Sequence, residues 1–143
     1  MKIIGVKIIS KNIIKNNKGS IFKYISSRDS YFKKFGEIYF NQINKNKTKG
    51  WILHKETKCI LSLIYGRIIF HLIDGRKKSK TFNKETKISL NENSFKIIIV
   101  PPGVWFSITS KNKNSLIVNL IEKPHSDNET IKKNKVKNYF IKN

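Results

Sequence analysis

One stretch of the sequence indicates the fold: residues 59–75, which read CILSLIYGRIIFHLIDG. Two apolar runs, residues 59–65 and 67–73, flank the single residue Gly66. The second run ends at Asp74-Gly75, a dipeptide that is typical of hairpin turns. Runs of this length, rich in β-branched and aromatic residues and bounded by turn residues, predict a pair of adjacent strands.

The same pattern recurs on both sides of this stretch. Short apolar or alternating runs are separated by turn residues about every 8–12 positions, which is typical of an all-β sandwich or barrel. No long amphipathic helix and no internal repeat are evident. The other predicted strands are residues 3–9, 20–26, 35–43, 50–54, 79–82, 86–90, 94–100, 105–109 and 116–121.

Length and composition limit the class of protein. A chain of 143 residues has the size of one domain, and we expect that domain over residues 1–125, followed by a basic polar tail over residues 126–143. No run approaches the roughly 18 apolar residues of a membrane-spanning helix, and the first residues, MKIIG, lack signal-peptide architecture. The only cysteine, Cys59, lies in an apolar run and is predicted to be a buried free thiol. We therefore expect no membrane association and a cytoplasmic location.

The formal net charge of +21 allows two interpretations. It could reflect a nucleic-acid or other polyanion partner, or a compositional bias, because Lys, Ile and Asn are all read from A/T-rich codons. The lysines are spread along the whole chain, and aromatic and basic residues lack the spacing of a platform for stacking bases. We therefore expect no nucleic-acid partner, although a positive surface would steer a small anionic substrate.

Two further segments carry specific motifs. Residues 49–55 read KGWILHK, and residues 100–106 read VPPGVWF. Together with residues 19–23 (GSIFK) and 35–40 (FGEIYF), they resemble the dTDP-4-dehydrorhamnose 3,5-epimerase family over about residues 1–130.

This resemblance implies a fold and an activity. The family has the jelly-roll cupin fold, here a single all-β cupin barrel of about ten short antiparallel strands. Its members act on nucleotide-diphosphate 4-keto sugars, usually as homodimers, and the epimerases need no metal or other cofactor. A base removes a proton from the carbon next to the ketone, and an acid returns a proton on the other face. The implied role is in the synthesis of a deoxysugar for a surface polysaccharide.

The chain departs from the family at the positions that normally carry histidines. The first motif has Ile52 where the family's catalytic histidine falls, and the second has Phe106 at its histidine position. The acidic position of the general cupin pattern falls on or near Cys59, so only His54 of four possible metal ligands remains. We expect no metal site, since zinc and iron sites take three or four protein ligands.

His54 is the chief catalytic candidate, either as acid or base inside the barrel or as a polar residue at the barrel mouth held by a neighbour. Lys49 takes the position of the family's substrate-contacting arginine and would offer a point charge to a diphosphate. Asp74 and Arg76 match the family's Asp-x-Arg and are candidates for substrate binding, with a solvated hairpin ion pair as the alternative.

Three aromatic residues complete the candidate site. Trp51 and Trp105 could stack on a base or a sugar ring, or pack in the core. Tyr39 lies on an alternating strand, on one face with Glu37 and Asn41, and could supply a phenol to the pocket or pack in the core.

Two other histidines remain. His71 is predicted to be structural, because it lies in an apolar strand, and His125 either caps a turn or binds substrate.

Three functions are therefore compatible with the sequence. The first is a sugar-nucleotide epimerase or keto-isomerase with His54 as acid or base. The second is a catalytically silent cupin that binds a nucleotide sugar or scaffolds a biosynthetic partner, because Ile52 and Phe106 remove proton-transfer groups. The third, a basic nucleic-acid-binding barrel, depends on charge alone.

Overall fold

The computed structural model describes residues 2–140. Within them the chain forms fourteen β-strands and no helix, which confirms the all-β prediction. The strands are β1 Lys7–Ser10, β2 Ile13–Asn16, β3 Gly19–Phe22, β4 Glu37–Ile43, β5 Thr48–His54, β6 Cys59–Tyr65, β7 Arg67–Asp74, β8 Glu85–Asn91, β9 Lys96–Val100, β10 Val104–Ser110, β11 Ser115–Ile121, β12 Thr130–Lys132, β13 Lys135–Val136 and β14 Tyr139–Phe140.

Two five-stranded antiparallel sheets form the barrel. The first has the order β1-β9-β6-β11-β4 and the second β12-β5-β10-β7-β8. Strands that are neighbours in one sheet are mostly distant in sequence, as in a jelly roll. Two short ribbons, β2–β3 and β13–β14, lie outside the sheets.

Side-chain alternation along the strands decides what the barrel encloses. In β10, Val104, Phe106 and Ile108 join the core between the sheets, whereas Trp105 lies on the other face. The inner core is almost entirely aliphatic and aromatic, including Phe70 and Leu72 of β7, both fully buried. The apolar periodicity of the sequence thus produces one continuous core.

Both sheets also bury part of their outer faces. Residues such as Tyr24 and Phe32 cover Ile60 and Ile97 of the first sheet. On the second sheet, Trp51, Leu53, Ile73 and Trp105 form a cluster against Val136 and Tyr139 of the β13–β14 ribbon. The described part of the predicted tail therefore contributes one strand to a sheet and a cover to its outer face, while residues 141–143 lie outside the described residues.

Three local predictions differ from the structure. Residues 79–82 form turns rather than a strand, because Ser79 and Thr81 donate their hydroxyl hydrogens to the Asp74 carboxylate and bend the chain around it. Residues 13–16 form β2, which is stabilised by pairing with β3 rather than by its own polar sequence. The first predicted strand begins only at Lys7.

Residues 2–140 include no helix long and apolar enough to cross a membrane.

Candidate active site

A cavity of about 310 Å³ opens between β4 of the first sheet and β5 and β12 of the second. We refer to it as the His54 pocket. Its wall combines carboxylate, phenol, imidazole and ammonium groups with one aliphatic side chain. The lining residues are Glu37, Tyr39, Asn41, Ile52, His54, His125, Thr130 and Lys132.

His54, the last residue of β5, is held by a carboxylate. Its ring atom Nδ1 lies 2.8 Å from Oε2 of Glu129, immediately before β12, which pairs with β5 so that Thr130 is opposite His54. The other carboxylate oxygen, Oε1, accepts hydrogen bonds from the backbone N–H groups of Glu56 (2.8 Å) and Thr57 (2.7 Å). Three donors therefore fix the carboxylate, and the carboxylate fixes the imidazole.

The protonation state of this pair follows from its surroundings. Burial lowers the pKa of His54 below its ordinary value, and this effect outweighs the attraction of Glu129. Burial alone would raise the pKa of Glu129, but the backbone donors of Glu56 and Thr57 and the nearby His54 lower it below its ordinary value. At neutral pH the imidazole is therefore neutral and the carboxylate ionised. Because an ionised carboxylate can only accept, Nδ1 carries the ring hydrogen and Nε2 carries a free lone pair.

Phe106 forms the apolar backing of His54. The two rings are parallel to within 2°, with centroids 6.2 Å apart. Phe106 in turn stacks on Phe70, at 5.4 Å between centroids. This ring series excludes water from one face of the imidazole and contributes to the burial that lowers its pKa.

Tyr39 of β4 lines the same pocket. Its hydroxyl oxygen accepts a hydrogen bond of 2.8 Å from Nδ2 of Asn119 on β11. Burial raises the pKa of Tyr39 to about 12, so the phenol keeps its hydrogen at neutral pH. Because the oxygen already serves as acceptor to Asn119, its own hydrogen is available to a group in the pocket.

Cys59 lies next to this polar pair at the bottom of the barrel. It is a buried free thiol, as predicted, and burial raises its pKa to about 12. Asn119 is itself 1% exposed, and its Oδ1 atom has no hydrogen-bond partner among residues 2–140. The thiol is thus a protonated, structural group rather than a nucleophile.

Basic residues lie at the rim of the pocket. Lys49 donates from Nζ to Oδ1 of Asn41 at 2.7 Å, which places its ammonium group beside the lining. Lys132 of β12 lines the pocket directly. Residues 2–140 contain no group of three or more His, Cys, Asp or Glu side chains that could hold a metal ion.

The sequence model of the dTDP-4-dehydrorhamnose 3,5-epimerase family matches residues 1–135. The chain belongs to this family. The resemblance carried by the two motifs is thereby confirmed. No curated protein gives a match.

Solved structures show the same fold. A dTDP sugar isomerase from Desulfovibrio desulfuricans G20 is 24% identical, with a TM-score of 0.88 over 92% of this chain and 85% of that chain. The dTDP-4-dehydrorhamnose 3,5-epimerase from Sulfolobus tokodaii is 22% identical, with a TM-score of 0.81 over 89% of this chain and 76% of that one. A dTDP-6-deoxy-D-glucose-3,5-epimerase from Legionella pneumophila Philadelphia 1, in complex with dTDP-4-keto-L-rhamnose, is 14% identical, with a TM-score of 0.84 over 92% of this chain and 74% of that chain.

In this epimerase-family chain, His54 and Tyr39 are brought together in one pocket, with Lys49 at its rim. Ile52, at the family's histidine position, also lines the pocket. Phe106, at the second such position, packs in the inner core. Both apolar residues at the family's histidine positions therefore lie near His54.

The two tryptophans lie away from the pocket. Trp51 is 1% exposed on the outer face of the second sheet, where its Nε1 donates to the carbonyl of Tyr139 at 3.1 Å. Trp105 belongs to the same outer cluster, with Nζ of Lys133 5.2 Å from its ring centroid. In a strand, the residue next to an inward position points outward. Trp51 and Trp105, which precede Ile52 and Phe106, therefore lie outside the barrel interior.

Asp74 and Arg76 also lie outside the pocket lining, and they form an ion pair in which Asp74 is buried and Arg76 half-buried. Arg76 donates from Nε and Nη2 to the two carboxylate oxygens, each at 2.8 Å, and from Nη2 to the carbonyl of Ile4 at 2.6 Å. Asp74 is 0% exposed; burial would raise its pKa, but Arg76, Thr81 and Ser79 hold it far below the ordinary range. The pair ties the loop after β7 to the N-terminal segment.

The structure adds residues to the candidate site that the sequence did not indicate. Glu129 and Lys132 come from a region predicted as a tail, and no motif marks them. The sequence indicated Asn119 only weakly, since an amide in the apolar run of β11 predicts a buried polar contact.

His71 is structural as predicted, packed at 4.9 Å between ring centroids against Trp51. His125 lines the pocket while its backbone N–H donates to Glu37 at 2.9 Å.

Proposed function

We propose that this chain epimerises or keto-isomerises a nucleotide-linked 4-keto sugar, with His54 as the base and Tyr39 as the acid. The observation that carries the proposal is the pairing of a carboxylate-held neutral imidazole with a protonated phenol on the wall of one cavity. Family membership supports the same activity.

The first step uses the free lone pair of His54. Nε2 takes a proton from the carbon next to the ketone. The C–H electron pair forms the C=C bond of the enolate, and the carbonyl π pair moves to the oxygen. Glu129 stabilises the imidazolium that forms, because it already accepts the hydrogen of Nδ1. The ammonium group of Lys132, on the same wall, would stabilise the enolate oxygen electrostatically.

The second step uses the phenol of Tyr39. The C=C electron pair of the enolate takes the Tyr39 hydroxyl proton on the face opposite to His54, and an electron pair on the enolate oxygen re-forms the C=O bond of the ketone. The configuration at carbon is thereby inverted. Asn119 donates to the phenolate oxygen left behind, and exchange with solvent returns a proton to Tyr39 and removes one from His54.

The substrate class follows from the rim charges and from related structures. Lys49, at the rim of the pocket, suits the diphosphate of a nucleotide sugar. The Legionella pneumophila enzyme was solved with dTDP-4-keto-L-rhamnose, and a 3'-monoepimerase from Streptomyces bikiniensis with dTDP-quinovose. We propose a dTDP-linked 4-keto sugar, destined for a surface polysaccharide.

The proposal includes a homodimer in the cytoplasm. Strand β4 is an edge of the first sheet, and its outer side exposes Ile38 (42%) and Phe40 (64%). Such an unpaired edge with exposed apolar side chains suits pairing with a second copy. A single buried thiol suits a reducing compartment.

Incubation with dTDP-4-keto-6-deoxyglucose in D2O, followed by mass spectrometry and proton NMR, tests the activity. We expect deuterium at the carbon next to the ketone, and a loss of turnover of about 100-fold or more in His54→Ala. His71→Asn, which changes a histidine on the outer face of the second sheet, away from the His54 pocket, is the matched control and should retain turnover. Binding of dTDP without deuterium exchange would assign the chain to the silent sugar-binding class instead.

A further inference from the structure

A second cavity, of about 260 Å³, lies on the outer face of the second sheet, on the other side of that sheet from the barrel interior. We refer to it as the outer cleft. The proposed reaction makes no use of it. Six of its lining residues carry the argument: Trp51, His71, Lys87, Ser107, Lys111 and Tyr139.

Aromatic rings form one wall of the outer cleft. The rings of Trp51 and His71 meet edge to face with centroids 4.9 Å apart, and those of His71 and Tyr139 with centroids 4.5 Å apart. Phe140 adds a ring that is 66% exposed. The ribbon β13–β14 is held over the sheet by the hydrogen bond from Trp51 Nε1 to the carbonyl of Tyr139. This wall offers flat apolar surface of the kind on which a ring stacks.

The charge of the outer cleft is positive. Lys87 and Lys111 both line it, and the described lining residues include no carboxylate. The nearest acid, Glu85, is engaged by the Tyr139 hydroxyl at 2.9 Å and by Nζ of Lys137 at 3.9 Å. A ligand in the cleft therefore meets cations whose charge is not balanced within the lining.

One buried polar atom of the outer cleft, Nε2 of His71, lacks a hydrogen-bond partner among residues 2–140. His71 is 7% exposed, and its Nε2 has no hydrogen-bond partner among residues 2–140, the closest carboxylate oxygen of Glu85 lying at 3.7 Å. Ser107, the cross-strand neighbour of His71, follows an irregularity in the β10–β5 register. Bulges of this kind re-aim side chains and occur often beside binding sites.

We infer that the outer cleft binds a small anion that carries one flat ring, such as an aryl phosphate. The exposed ring of Phe140 and the ring of Tyr139 would hold the ligand's ring, and Lys87 and Lys111 its negative group. The volume of the cleft indicates a small ligand, because about 260 Å³ lies below the usual 300–1,000 Å³ range of ligand pockets.

Phenyl phosphate is the probe that tests this inference. Titration of the full chain, followed by calorimetry and by the indole N–H resonance of Trp51, should give a dissociation constant of about 1 mM, ordinary for a ligand of this size. Lys111→Ala should weaken binding about tenfold, and Phe140→Ala should weaken it as well. Lys15→Ala, on the distant β2–β3 ribbon, is the matched control and should bind like the parent chain.

The comparison probes separate the possible outcomes. Inorganic phosphate should bind more weakly than phenyl phosphate, and His54→Ala should leave the affinity for phenyl phosphate unchanged. Equal affinity for inorganic phosphate would overturn the inference, because the lysines alone would then explain binding. Resonance changes confined to the His54 pocket, or tighter binding of a single-stranded oligothymidine, would also overturn it.

Discussion

His54 donates the hydrogen on Nδ1 to Oε2 of Glu129 across 2.8 Å, although the two residues are 75 positions apart. The bond joins the end of β5 to the start of β12. It orients the one histidine that remains in the family motif, which burial keeps neutral and which we propose as the base. The same arrangement of base and orienting carboxylate occurs in many enzymes that move protons.

Replacing Glu129 by glutamine tests this relationship. In Glu129→Gln the imidazolium loses its ionised partner, so we expect turnover to fall by about 10- to 100-fold. The pKa of His54 should fall further, because Glu129 is the group that raises it. The acid limb of the pH profile of kcat should therefore move to lower pH. Glu56→Gln, exposed nearby, is the control, and an unchanged pH profile in Glu129→Gln would contradict the role of the pair.

Tyr39→Phe separates the two proton transfers. The variant keeps the ring but loses the hydroxyl, so His54 can still remove a proton while nothing returns one on the opposite face. We expect the epimerised product to fall by about 100-fold, with deuterium wash-in at the reacting carbon retained. Both are read from one proton NMR time course. Parallel loss of exchange and product would mean that Tyr39 does not act as the acid.

Charge reversal at the rim tests substrate binding. Lys49→Glu places a carboxylate beside Asn41, where the diphosphate is proposed to lie. Calorimetry with dTDP should show affinity reduced by about tenfold or more, since like charges repel. Lys18→Glu, on the exposed β2–β3 turn, makes the same change in net charge and should have little effect at moderate salt. Equal losses in both variants would show a general charge effect only.

Asp74→Asn tests whether the Asp74–Arg76 ion pair, predicted as a solvated hairpin pair and found with its carboxylate buried, stabilises the fold. The change leaves the Arg76 guanidinium without its buried partner, so we expect a loss of about 3 kcal/mol in the free energy of unfolding. Urea denaturation measures it. Asp127→Asn, whose carboxylate is 98% exposed, should change stability by less than about 0.5 kcal/mol. If Asp74→Asn unfolds like the parent but loses dTDP binding, Asp74 belongs to a binding site.

Acid should destabilise the protein through its buried histidines. The folded-state pKa values of His54 and His71 are both lowered from the ordinary 6.5 by burial. As pH falls through about 6.5, the unfolded chain therefore binds more protons than the folded one, and stability decreases. Urea midpoints between pH 7.5 and 5 should show this decrease, and it should be smaller in His71→Asn. A midpoint that rises toward pH 5 would contradict the lowered pKa values.

Much of the fold was predictable because the strands carry their own signals. Residues 59–65 were predicted with the observed bounds, since an apolar run ends at Gly66. The prediction was wrong for residues 79–82, where a long-range carboxylate, Asp74, decides the conformation. It also missed β12–β14, since β12 is defined by its pairing with β5, and β13 and β14 by their pairing with each other.

By itself the sequence determined the family, the strand alternation and the loss of two histidines at Ile52 and Phe106. These depend on local pattern and on motif spacing, which the chain carries without folding. Only the tertiary structure decided what His54 contacts, because Glu129 reaches it through strand pairing across the barrel edge. It also decided that Trp51 lies outside the pocket, since successive side chains along a strand point to opposite faces of the sheet.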